Sequence, residues 1–158
     1  MKKWILVLFL FSVTYARAAT LVGEVVGVAD GDTITVLDAN HIQFKIRLAG
    51  IDAPEKKQSF GQASKKSLSA LVYSKVVTVE WHKLDRYQRI VGKVFVNDMN
   101  ANLEQVKRGM AWYYKKYQNE LVLDDRLDYL HAHEAAKICR SGLWVDDDPV
   151  APWDFRKN

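Results

Sequence analysis

The chain has little of what staples or anchors a small protein. It has one cysteine, Cys139, so no disulfide can form within it and its core alone must hold it together. Its four histidines are scattered. His131 and His133 stand two apart on a stretch that reads as helix, so they face apart and offer no zinc site. They are expected at the surface or the edge of the core. The long apolar run, Trp4 to Val13, is too short to span a bilayer. No internal repeat, linker or low-complexity stretch divides the 158 residues, which suit one domain with a real core.

Excess charge is also scarce once the start of the chain is read. Lys2 and Lys3 precede the apolar run, and Ala16-Arg17-Ala18 follows it with small residues where a signal peptidase reads. This is an export signal cleaved after Ala18, with an uncleaved anchor as the alternative. The mature domain is then 19–158, expected in the periplasm or the medium with no stable membrane association. The whole sequence has 23 Lys+Arg and 19 Asp+Glu; the signal removes Lys2, Lys3 and Arg17, leaving 20 basic and 19 acidic side chains, a net of +1. That excludes strong whole-molecule steering of a polyanion, so any attraction must come from local patches. The run Asp146-Asp147-Asp148 pulls negative charge toward the C-terminus.

What is present is a change of period. Residues 21–28, rich in Val and broken by Gly23 and Gly27, read as a bent or bulged strand. Residues 33–37 alternate cleanly, Asp38-Ala39-Asn40 turns, and 41–48 is the best strand, with Ile42, Phe44, Ile46 and Leu48 on one face and Arg47 on the other. Ser59 to Gln62 reads as a capping box, opening a helix that turns Phe60, Ala63, Ser64, Ser67, Leu68 and Leu71 inward. Strands follow at 76–81 and 89–96, joined by a charged turn at 83–87; a hairpin-type turn stands at Asn97-Asp98. A short helix over 102–108 is closed by Gly109. Asn119 caps a longer helix through Cys139, with Leu123, Leu127, Leu130, Ala135 and Ile138 inward and Cys139 as a small buried residue. The tail from Pro149 is left irregular. The fold class is α+β: a five-stranded OB-fold-like β-barrel with three α-helices.

Charged residues gather at the strand ends. Asp30-Gly31-Asp32-Thr33 opens one strand, and Asp52-Ala53-Pro54-Glu55 follows another. Across a hairpin turning near Asp38, the start of one strand lies beside the end of its partner, so Asp32 and Asp52 are neighbours. Two adjacent carboxylates repel unless a cation joins them, and all-oxygen donors favour calcium or magnesium. A nearby Glu can activate water, and Arg47 and Arg89 can neutralise a phosphate as its charge builds. That is the equipment for metal-assisted phosphodiester hydrolysis. On local pattern alone, Asp-Gly-Asp-Thr is equally well an ordinary turn. Trp112 to Tyr117 interleaves aromatics with bases, a pattern that stacks nucleobases and holds phosphate, while Trp112 and one Tyr also suit the core. Lys56-Lys57 and Lys65-Lys66 read as solvated faces.

Taken in order, these segments and the stretch from Asn102 to Ala111 resemble the thermonucleases, the staphylococcal-nuclease-like group, over nearly all of the mature chain. The resemblance implies a secreted, calcium-dependent endonuclease acting on DNA and RNA, a monomer, leaving 3′-phosphate ends. Asp32 and Asp52 would bind Ca2+ by side chain and Ala53, where the family usually has Thr, by its main-chain carbonyl. Glu55 would position or deprotonate the attacking water. Arg47 and Arg89 would grip the scissile phosphate. Arg86 and Tyr87 match positions flanking the bound nucleotide, and one of Tyr113 or Tyr114 would stack near it. Gln88 stands where the family usually has Gly, which puts a side chain at a tight turn before Arg89. The competing reading is a catalytically silent OB-fold nucleic-acid-binding module. Such degenerate members usually lose the acids or the arginines, and here all five are present.

Overall fold

Alternating Val, Ile and Thr build the first half of the molecule, and the structure, a computed structural model describing residues 19–157, closes that half into a barrel. The expected export segment lies outside the described residues. In chain order the elements begin β1 (Ala19–Val28), β2 (Thr33–Leu37), β3 (Gln43–Leu48), β4 (Ile51–Asp52), α1 (Gly61–Val72), β5 (Val76–Leu84) and β6 (Ile90–Val96). They continue with β7 (Met99–Asn100), α2 (Ala101–Lys107), β8 (Trp112–Tyr113), α3 (Leu123–Ile138) and a single-turn α4 (Pro152–Phe155). Among the described residues no helix is long and apolar enough to cross a membrane.

The five long strands run in the order β3-β2-β1-β5-β6. All neighbours are antiparallel except the closing pair, in which β3 lies parallel to β6 with Ile46, Arg47 and Leu48 beside Ile90, Val91 and Gly92. The expected bend in β1 is a bulge between Val25 and Gly27. Val25, Ile34, Val36, Ile46, Leu48, Val77, Val79 and Val94 fill the interior, and Leu68, Val106 and Tyr129 plug it from the helices. Buried Asn102 pins α2 to the barrel: its amide donates to the carbonyls of Ala49 and Gly92 and its oxygen accepts from the Val94 amide. Its polar atoms are thus matched inside the core, as burial requires.

The local readings fail chiefly at the helices. No Ser59 capping box forms; α1 is entered through Phe60 in the left-handed region at φ 64°, with no side-chain cap. Its buried face is Gly61, Ser64, Leu68, Leu71 and Val72, while Ala63 is exposed. Asn119 caps nothing: 115–120 is a 3-10 turn and α3 starts at Leu123. That helix turns Tyr129, Ala132, His133 and Ala136 inward, leaving Leu123, Leu127, Ala135 and Ile138 exposed. Cys139 is exposed at the helix end. The buried stripe includes the small residues Ala132 and Ala136, which let α3 pack closely on its neighbours. β5 extends through Lys83 and Leu84, shortening the charged turn.

Candidate active site

Three strand ends and two loops converge on one cleft of about 660 Å³. Asp30, Asp32, Arg47, Asp52, Ala53, Glu55, Arg86, Tyr87 and Arg89 all line it. The β2–β3 hairpin sets Thr33 opposite Arg47, and the Leu48 amide donates to the Asp32 carbonyl. Beyond β3 the chain turns back through Gly50, so the Ala53 amide donates to Asp32 Oδ2 at 3.0 Å. The neighbourhood of the two acids expected from the hairpin is therefore present. Gly31 permits it: a Cβ there would sit 1.8 Å from Ser64 Oγ and 2.8 Å from the Ala53 Cβ. Gln105, wholly buried, holds that loop from below by donating to the carbonyls of Gly31 and Ser64.

Each arginine is held by its own acid. Arg47, only 8 % exposed, donates to the Ile51 carbonyl at 3.0 Å and to Glu120 Oε2 at 3.3 Å, and its guanidinium lies 5.3 Å from the Tyr117 ring centre. Glu120 also accepts from the Gly50 amide and pairs with Lys83. Arg89 follows a turn organised by Asp85, which accepts from the amides of Tyr87 and Arg89 and from Arg89 Nε at 2.8 Å. Burial pushes the Asp85 carboxyl up, but these hydrogen bonds and the Arg89 charge outweigh it and hold the carboxyl below its ordinary range. Gln88 occupies the left-handed region at φ 61° in this turn. Arg89 Nη1 reaches Thr33 Oγ1 at 3.4 Å, and that hydroxyl donates to Asp32. Arg86 donates to the Tyr87 hydroxyl at the rim.

The acids crowd one another. Burial, then the charge of Asp32, pushes Asp30 up to about 6. Burial likewise raises Asp52, with Arg156 partly offsetting it and Asp32 adding to it. The donor set is entirely oxygen, and Asp32 lies close enough to raise the buried Asp52 carboxyl, which fits a hard divalent cation such as calcium. Among the described residues no group of three or more His, Cys, Asp or Glu is gathered for a metal, so other ligands must complete any shell.

The aromatic positions divide. Tyr113 does not reach the cleft: it pairs with Ile51 through β4–β8 and packs its ring on Tyr129 in the core. The β8 register turns it inward, a tertiary choice that its sequence does not carry. Tyr114 lies between Tyr117, at its edge, and Trp153, on which it stacks at 4.6 Å. Trp112 packs among Trp144, Trp153 and His133. The aromatic-basic run instead supplies Lys116 and Tyr117 to the cleft.

Sequence reasoning also missed Glu120 and Arg156. Glu120 was hidden in a supposed helix start. Arg156 follows α4 and pairs with Asp52 and Glu55 across more than a hundred residues. The available signal was Pro152-Trp153, a proline at a helix start followed by a large aromatic in a tail that otherwise looks irregular.

The cleft thus sets carboxylates that could gather a cation beside arginines that could meet an anion, the pairing that phosphodiester hydrolysis needs. Residues 45–146 match the family described as staphylococcal nuclease homologue. A Haemophilus influenzae protein named an uncharacterized endonuclease is 47 % identical over 134 residues, covering 85 % of this chain and 72 % of its own. An Escherichia coli protein of the same description is 44 % identical over 158 residues, covering 99 % and 98 %. A Shigella flexneri micrococcal nuclease is 38 % identical over 144 residues, covering 85 % and 80 %. The chain belongs to the staphylococcal nuclease family.

Proposed function

We propose that the protein is an exported, calcium-dependent endonuclease that hydrolyses DNA and RNA with little sequence preference, leaves 3′-phosphate ends and works as a monomer. One observation carries the reading: the parallel β3–β6 pairing puts Arg47 and Arg89 over the same cleft as Asp32, Asp52 and Glu55. Asp32, Asp52 and the Ala53 carbonyl are the residues that would hold calcium, which when bound offsets phosphate charge and acts as a Lewis acid. Arg47 and Arg89, pre-aimed by Glu120 and Asp85, donate to the phosphate oxygens and gain strength as charge develops on them. Glu55 activates water for attack at phosphorus, and the 5′-oxygen leaves. Arg86, Tyr87, Lys116 and Tyr117 form the rim along which the strand lies.

Cleavage of single- and double-stranded DNA, with calcium or with a chelator, tests this in the mature protein and two variants. Cleavage is expected only with calcium. Arg47→Ala should lose on the order of a hundredfold or more in rate, as for other lost transition-state donors, and Glu55→Gln about a hundredfold with calcium binding kept. Cleavage unaffected by chelation removes the calcium dependence. DNA bound by the wild type but left uncut replaces the enzyme with the binding-module reading.

A further inference from the structure

The C-terminal tail places a cation of its own among the acids. Arg156 Nη1 and Nη2 donate to Asp52 Oδ1 and Oδ2 at 3.2 and 2.7 Å, and Nη1 also donates to Glu55 Oε1 at 2.7 Å. Both oxygens of the buried Asp52 are thereby occupied, and the principal water-activating candidate is engaged by the same guanidinium. The placement is built. Pro152 and Ala151 are buried, Trp153 stacks on Tyr114 with planes 6° apart, and Gln58 Nε2 donates to the Val150 carbonyl. The tail is thus fixed at three points before it delivers Arg156, whose side chain remains 45 % exposed.

We propose that Arg156 is a tethered competitor for the divalent cation: it neutralises Asp52 and Glu55 in the metal-free protein, and metal binding displaces it. The inference rests on the calcium reading above. A dication and the two-pronged guanidinium compete for the Asp52 oxygens, so the free energy lost in breaking or weakening the pair is subtracted from metal affinity. The latch keeps the acids compensated without metal and sets a threshold concentration below which the cleft stays closed to the ion. Displacement frees Glu55 at the moment the metal arrives.

Calorimetric titration of calcium, without nucleic acid, reads this directly in the wild type, Arg156→Gln, Arg156→Lys and Trp153→Ala. Arg156→Gln should bind calcium at least tenfold more tightly, with Arg156→Lys in between, because an ammonium cannot form the two-pronged pair. Trp153→Ala leaves every carboxylate and Arg156 in place but loosens the tail, so it should move affinity the same way by a smaller factor. Equal or weaker calcium binding by both Arg156→Gln and Trp153→Ala overturns the latch while leaving the calcium reading standing. No calcium binding by any of the four proteins at millimolar concentration overturns both.

Discussion

At Gln88 the chain accepts a conformation its side chain resists. The residue sits at φ 61°, and the turn around it is held by Asp85 accepting from Tyr87 and Arg89. A left-handed residue with a Cβ costs about 1–2 kcal/mol, part of which glycine returns as unfolded-chain entropy. Gln88→Gly is therefore expected to raise stability by about 0.5–1 kcal/mol in urea denaturation. Because Asp85 rather than Gln88 positions Arg89, turnover should change less than threefold. A larger loss would mean that the Gln88 side chain itself steers the arginine. The same residue-scale view explains what the sequence did and did not disclose. Asp32, Asp52, Arg47 and Arg89 were legible because strand period and hairpin register place them. Glu120 and Arg156 act through partners 73 and 104 positions away, and no local pattern records such a pairing.

The loop between β1 and β2 is where elements meet most tightly. Its Gly31 lies against Ser64 of α1 and against Ala53, and Gln105 of α2 clamps both the loop and the helix. An added methyl has no flexible neighbour to push aside, because Ser64 Oγ is itself bonded to the Met110 carbonyl. Gly31→Ala should destabilise the protein by about 1–3 kcal/mol through overpacking. It should also cut activity at least tenfold at temperatures where the variant is fully folded, since Asp32 is next in the chain. Circular dichroism melts and initial rates on DNA check the two effects separately. Elements of period two were readable and those of period 3.6 less so. The barrel core is continuous, so strand alternation reports it faithfully. Helix α3 touches its neighbours along a narrow stripe of Tyr129, Ala132, His133 and Ala136, while its leucines at 123 and 127 face solvent, contrary to what amphipathic patterning favours.

At the scale of the whole molecule, the joint between α3 and the C-terminal segment should respond to acid through His133. His133 is buried against Trp112 and Trp144 and its Nδ1 accepts from the Tyr113 amide at 3.3 Å. Burial pushes it down to about 4 from the ordinary 6.5, with Lys137 and Lys115 lowering it further and Glu134 opposing them. A histidine depressed in the folded state contributes stability that is complete above its unfolded pKa. That contribution is lost as pH falls toward the folded value, because the unfolded chain takes up the proton first. Between pH 6.5 and 4 the protein should lose up to about 3 kcal/mol from this residue. His133→Gln should be less stable than wild type at pH 7 and show a flatter profile over that window in urea titrations. A profile as steep as the wild type's would assign the acid sensitivity elsewhere.

The parallel seam between β3 and β6 has a consequence in time. Residue 46 cannot find residue 90 until some forty further residues have been made and folded between them, and Glu120 and the tail arrive later still. Non-local pairings of this kind form slowly and together. A nascent chain therefore carries both halves of the cleft unjoined while it is still close to the ribosome and its RNA. The cutting edge comes into being only once β6, Glu120 and Arg156 have all been made.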